Sequence, residues 1–88
     1  MQTLQQEIQE ELSQLLEIPR ERIQPHAHFV HDLDADSMDA LEMLMLLEEK
    51  YQIEINQDLL PELVTLQKVT ELVDRLRTKK GGKNNAGK

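Results

Sequence analysis

The chain of 88 residues contains no cysteine and no tryptophan, and only one tyrosine and one phenylalanine. Without cysteine it can form neither a disulfide nor a thiolate metal site. Because aromatic residues are so few, the core must be built from aliphatic side chains, and a domain this small must use nearly all of them. The composition therefore predicts one small domain without disulfides.

The sequence also has no apolar run that is long enough to cross a bilayer. Its first residues, MQTLQQEIQEE, have neither the basic start nor the continuous apolar stretch of a signal peptide. We therefore expect no membrane insertion, and a cytoplasmic protein is the simplest interpretation.

Basic residues are scarce outside the C-terminal end. Residues 1–77 contain all 17 acidic residues but only six of the ten basic ones, which gives this segment a net charge of −11. Binding to nucleic acid requires clustered lysine and arginine, so the charge excludes that class of partner. An acidic domain is instead attracted to basic protein surfaces, and this attraction weakens as salt is added.

Apolar residues recur at helical spacing in three segments. The first predicted helix starts after Thr3, a suitable N-cap, and ends before Pro19, which pushes the preceding residue out of the helical conformation. The second runs from near Ser37 to about Tyr51, and the last follows Thr65. The apolar stripe of the first helix is Leu4, Ile8, Leu12, Leu15 and Leu16, and that of the last is Leu66, Val69, Leu72, Val73 and Leu76.

The remaining segments complete the predicted fold. The segment DLLPEL predicts a brief helical turn, whose length Pro61 limits. A long connection runs from about residue 17 to residue 35, and we expect Phe29 and Leu33 to anchor it in the core. The fold class is therefore all-α: a small four-helix bundle with three main helices, a short third helix and a long ordered loop between helices 1 and 2. We expect residues 1–77 to form this domain and residues 78–88 to be a disordered basic tail.

The second helix has two apolar faces. Its core stripe consists of Ala40, Met43, Leu44, Leu47 and Tyr51. The opposite side also carries apolar residues with acids beside them, which indicates either a deeply buried helix or an apolar docking surface with an acidic rim. We favour the docking surface, and burial of its methionines would exclude it. The members of this second face are Met38, Leu41, Met45, Glu42, Glu48 and Glu49.

The segment DLDADSMDALEML, residues 32–44, raises the question of what Ser37 does among four aspartates. Asp32, Asp34 and Asp36 match the first three ligand positions of an EF-hand loop, but the glycine and the bidentate glutamate that such a loop needs are replaced by Ser37 and Met43. We therefore expect no selective metal site here.

Ser37 also lacks the surroundings of a catalytic serine. No G-x-S-x-G elbow is present, and an 88-residue bundle has little room for a substrate pocket. His26, His28 and His31 lie upstream and are most simply solvent-exposed, with a metal site of the H-x-H type as the weaker alternative. Ser37 is better explained as an acceptor of a modification, since Asp36 as N-cap and Asp39 as its capping-box partner place it at a helix start, where a phosphate is stabilised.

The segment F-V-H-D-L-D-A-D-S-M-D-A-L-E-M, residues 29–43, resembles the signature of the acyl carrier proteins. The resemblance extends over residues 1–77, because the helix, the long loop, the D-S-x-D helix, the short third helix and the last helix follow in the family's order. Asp34 stands where the family usually has glycine, a residue that adopts turn conformations at little cost.

This resemblance implies that Ser37 carries 4′-phosphopantetheine, transferred from coenzyme A by a magnesium-dependent phosphopantetheinyl transferase, and that acyl groups are held on it as thioesters. Asp36 would help to position the metal of the transferase. The chain would be a non-enzymatic, monomeric carrier serving acyl-transferring and chain-elongating enzymes of fatty-acid, polyketide or other lipid biosynthesis. Basic patches on these partners would meet Asp39, Glu42, Glu48 and Glu49, with Met38, Leu41 and Met45 as the apolar centre.

Two other functions remain open from the residues themselves. An acidic helical interaction module without a prosthetic group would need the same surface but not Ser37, and a minimal serine hydrolase is the weakest alternative. Within the carrier class, an amino-acyl cargo is also compatible with the sequence.

Overall fold

The protein is all-α in a computed structural model that describes residues 2–86, with side chains described for residues 2–78. The α-helices are α1 (Leu4–Leu16), α2 (Ser37–Tyr51) and α3 (Leu66–Ala86), and two short 3-10 helices span Arg20–Arg22 and Gln57–Glu62. The second 3-10 helix is the predicted short third helix, so the predicted bundle of three main helices and one short helix is confirmed. Within the described range no strand forms, and the one β-type contact is an isolated bridge between His28 and Thr65.

The last helix extends past the domain boundary that the sequence predicts. Helical backbone continues to Ala86, beyond the predicted end of the domain at residue 77. The described residues do not include the side chains of residues 79–86 or any part of Gly87 and Lys88. The disordered tail of residues 78–88 therefore stays a prediction. Of the helices in the described part, none is long and apolar enough to cross a membrane.

Local signals set both ends of α1. The hydroxyl of Thr3 accepts the backbone N–H of Gln6 at 3.1 Å, and the Gln6 side chain accepts the N–H of Thr3 at 3.0 Å, which is a complete capping box. The helix ends at Leu16, because Glu17 adopts a left-handed conformation with φ of 57°. The end therefore comes before Pro19, as predicted.

A single apolar core joins the three α-helices and the loops between them. Met43, Leu44 and Leu47 of the predicted α2 stripe are buried, and Ala40 and Tyr51 are half-buried. The predicted anchors of the long loop are confirmed as core residues. The full set of buried residues is Ile8, Leu12, Ile23, Phe29, Leu33, Ala35, Met43, Leu44, Leu47, Ile53, Ile55, Leu63, Leu66, Val69, Leu72 and Val73.

Polar contacts hold the C-terminal end of α2 against the other helices. The Tyr51 hydroxyl donates to the carboxylate of Glu7 at 3.1 Å, and Lys50 pairs with Glu11 at 3.1 Å. The guanidinium of Arg77 lies 5.6 Å from the centre of the Tyr51 ring. Burial, together with the hydrogen bond to Glu7, raises the pKa of Tyr51 well above its usual range, so the phenol stays a neutral donor.

His28 organises the loop that leads to α2. Its ring Nδ1 accepts the backbone N–H groups of Val30 and His31 at 3.1 and 3.2 Å, while the carboxylate of Asp32 accepts the N–H of His28 at 2.7 Å. The next residue, Phe29, donates its N–H to the Val64 carbonyl at 2.8 Å. The expectation that this histidine merely sits in solvent is therefore wrong, because its ring caps a turn. His26 and His31 are exposed, as expected.

Replacing His28 with leucine is expected to lower the free energy of unfolding by about 1–2 kcal/mol, because two backbone N–H groups lose their acceptor. His28→Asn is expected to lose much less, since the amide oxygen of asparagine occupies nearly the place of Nδ1. Urea denaturation measures both changes, with His26→Leu as the control at an exposed histidine. Equal losses for the asparagine and leucine variants would contradict the capping role.

Candidate attachment site at Ser37

Ser37 is the first residue of α2, and its side chain is exposed. Asp36 is the N-cap: its Oδ1 accepts the N–H of Asp39 at 2.9 Å, and Oδ2 of Asp39 accepts the N–H of Asp36 at 3.2 Å. The predicted capping box is thereby confirmed. The Ser37 hydroxyl forms no hydrogen bond with any other described residue, so it is available to an incoming reactant.

The turn before the site is left-handed at Asp34, which has φ of 60°. The N–H of Asp34 donates to the Val30 carbonyl at 3.2 Å, and the N–H of Ala35 donates to the Phe29 carbonyl at 2.9 Å. An aspartate tolerates this conformation better than most residues other than glycine. The turn at the family's usual glycine position is therefore formed here with a different residue.

An apolar cavity of about 70 Å³ adjoins the start of α2. Asp36 and Asp39 are its charged members, and the other wall residues are apolar, so its polar side lies next to Ser37. The space holds a few water-sized groups, and a longer aliphatic chain requires the surrounding side chains to move apart. The apolar walls are Leu12, Leu15, Leu16, Phe29, Val30, Ala35, Ala40, Met43, Leu60, Leu63 and Val64.

The second face of α2 is open to solvent. Met38 and Met45 are 63% and 58% exposed, Leu41 is half-buried, and Glu42 and Glu49 are exposed. The two methionines of this face are therefore not buried, whereas their burial would have excluded a docking surface. The residues predicted to meet partner enzymes are these residues together with Asp39 and Glu48, and we call this predicted set the docking face: Met38, Asp39, Leu41, Glu42, Met45, Glu48 and Glu49.

Glu48 differs from the other acids of this face. It is half-buried, and its Oε2 accepts the backbone N–H of Ile55 at 2.7 Å. This hydrogen bond holds the segment after α2 against the helix. One of its oxygens is therefore used within the domain. Sequence reasoning missed this contact, because nothing in the residue pattern shows that the chain folds back after the left-handed Gln52.

Two of the three aspartates before Ser37 accept backbone N–H groups with their carboxylates. Asp32 bonds to the N–H of His28, and Asp36 to that of Asp39. In the part of the chain that the structure describes, no three histidine or acidic side chains lie close enough together to hold a metal ion. Asp32 therefore caps a turn and Asp36 caps a helix.

Comparison with known proteins agrees with this geometry. Residues 6–75 match the family model described as "Phosphopantetheine attachment site". The acyl carrier protein of Buchnera aphidicola subsp. Acyrthosiphon pisum (strain Tuc7) is 34% identical over 80 residues, which cover 91% of this chain and all of the relative. That of Cyanidioschyzon merolae (strain NIES-3377 / 10D) is 35% identical over 66 residues, 75% of this chain and 72% of the relative. The chain therefore belongs to the acyl carrier protein family, whose prosthetic group is 4′-phosphopantetheine.

Proposed function

We propose that Ser37 is the residue that carries 4′-phosphopantetheine and that the chain acts as a non-enzymatic, monomeric carrier of acyl intermediates in the cytoplasm. The observation that carries this proposal is the Ser37 hydroxyl, exposed and without a hydrogen-bond partner in the described residues, at a helix start beside an apolar cavity. When bound, the group supplies the thiol on which acyl groups are held as thioesters, and the chain has no cysteine of its own.

The residues around Ser37 fit a phosphodiester at this position. The N-terminus of α2 favours negative charge by roughly 0.3–1 kcal/mol. One carboxylate oxygen of Asp36 accepts the N–H of Asp39, and the other oxygen forms no hydrogen bond within the described range. We propose that this oxygen helps to position the magnesium ion of a phosphopantetheinyl transferase.

The docking face is proposed to bind that transferase and the acyl-transferring and chain-elongating enzymes of fatty-acid, polyketide or other lipid biosynthesis. Its exposed methionines offer an apolar centre that adapts to several partners, and its acids complement basic patches. We assign the strongest electrostatic contribution to Glu42 and Glu49, which are exposed. Glu48 contributes less, because one of its carboxylate oxygens accepts the backbone N–H of Ile55.

Glu42→Lys is expected to weaken binding to a phosphopantetheinyl transferase by about tenfold at low salt, because it places a like charge against a basic surface. Glu21→Lys is the matched control, since Glu21 is exposed in the first 3-10 helix and the charge change is the same. Titration calorimetry at two salt concentrations measures both variants. Equal losses for the two would show that net charge, and not the docking face, governs binding.

Loading in vitro tests the proposed function. The chain is incubated with coenzyme A, magnesium and a phosphopantetheinyl transferase, and its intact mass is expected to rise by one phosphopantetheine unit. An interaction module without a prosthetic group would bind partners without any gain in mass, so an unchanged mass would overturn the proposal. Subsequent transfer of an aminoacyl instead of a fatty-acyl group would identify the alternative cargo.

A further inference from the structure

The methionines of α2 differ sharply in their access to solvent. Met38 and Met45 are 63% and 58% exposed, whereas Met43 is 3% exposed. Oxidation of a thioether to a sulfoxide requires contact between the sulfur and the oxidant, so susceptibility follows exposure. One helix therefore presents two reactive methionines and protects a third.

The two exposed methionines lie in the apolar centre of the docking face. They are seven residues apart, which places them about two turns apart on the same side of α2. Leu41 lies between them and is half-buried, and Glu42 beside it is exposed. A sulfoxide at either position would put a polar oxygen where a partner buries apolar surface, and burial of a polar group without a hydrogen bond is unfavourable.

We propose that Met38 and Met45 form a paired oxidation site through which hydroperoxides weaken the binding of partner enzymes. This inference rests on the proposed function, because it concerns the regulation of the same docking face. In each step the methionine sulfur attacks one peroxide oxygen: an S–O bond forms, the O–O bond breaks, sulfur loses two electrons, and the hydroperoxide is reduced to an alcohol or to water. Methionine sulfoxide reductases reverse this lesion with electrons from a thiol.

The arrangement separates an effect on docking from an effect on folding. Met38 and Met45 lie outside the buried core, whereas Met43 is a core residue and lines the cavity beside Ser37. Oxidation confined to the exposed pair leaves the core side chains in place. The melting temperature should therefore change little while partner affinity falls.

To test this proposal, the full chain is treated with hydrogen peroxide, and the oxidation of each methionine is followed by peptide mass spectrometry. Met38 and Met45 are expected to gain one oxygen each before Met43 reacts, and affinity for a phosphopantetheinyl transferase is expected to fall by about tenfold. Incubation with a methionine sulfoxide reductase and a thiol should restore the affinity. Equally fast oxidation of Met43, or undiminished affinity after both exposed methionines are oxidised, would overturn the proposal.

Two variants distinguish the effect of oxidising the exposed pair from the effect of oxidising any other residue of the chain. Whatever its own starting affinity, Met38→Leu/Met45→Leu is expected to bind equally well before and after peroxide, whereas Met43→Leu should keep the full loss. A loss that persists in the double variant would assign the effect to another residue and overturn the proposal. Loading of the untreated chain at Ser37 is measured in parallel: its failure would overturn the proposed function, whereas normal loading with unchanged affinity after oxidation would overturn this inference alone.

Discussion

Ser37→Ala is expected to abolish loading with 4′-phosphopantetheine completely. The substitution removes the oxygen that we propose receives the phosphoryl group, and no other described group at the start of α2 offers a hydroxyl. The helix itself should persist, because its start is held by the capping box of Asp36 and Asp39 and alanine is a good helix former. Intact-mass spectrometry after incubation with coenzyme A and a transferase measures the loss.

The other serine of the chain provides the matched control. Ser13 lies in α1, and its hydroxyl donates to the Ile18 carbonyl, so Ser13→Ala removes an equivalent group away from the proposed attachment site. This variant should load like the unaltered chain, and circular dichroism should show helical structure in both variants. Residual loading of Ser37→Ala would mean that another residue is modified.

Leu47→Ala is expected to lower the free energy of unfolding by about 2–5 kcal/mol, the usual result of truncating a fully buried leucine. Leu47 has 0% exposure and belongs to the core cluster. A small domain typically has only about 5–15 kcal/mol of stability in total, so this variant should melt many degrees lower and unfold at much lower urea concentrations. Urea and thermal denaturation measure the change.

Met45→Ala is the matched substitution on the opposite side of the same helix. Since Met45 is 58% exposed, its truncation should alter stability by less than about 0.5 kcal/mol while reducing affinity for a partner enzyme. The two variants together test whether α2 has one buried and one open apolar face. A large fall in melting temperature for Met45→Ala would show that this side chain belongs to the core.

The helices were predictable from sequence because their determinants are local. Thr3 and the pair Asp36–Asp39 are caps that act on backbone groups within three residues, and the α2 core stripe follows from helical periodicity alone. Phe29 could be recognised as an anchor since it is a large apolar side chain in an otherwise polar loop. The same periodicity separated the buried from the exposed face of α2.

Other features depend on side-chain directions that no periodic pattern encodes. The capping of the loop turn by His28 requires its Nδ1 to point back at two following N–H groups. Glu48 bonds to Ile55 only because the chain reverses after α2. The cavity beside Ser37 is assembled from α1, the long loop, α2 and residues 60–64, and its existence depends on how these segments pack together.

Attachment of the prosthetic group to Ser37 is tested most directly by the mass of the Ser37-containing peptide from protein purified out of its native cells. This peptide is expected to carry one 4′-phosphopantetheine, and hydroxylamine is expected to release any acyl group on it, as it releases a thioester. Detection of the unmodified peptide alone, or of the prosthetic group on a different residue, would contradict the assignment of Ser37 as the attachment site.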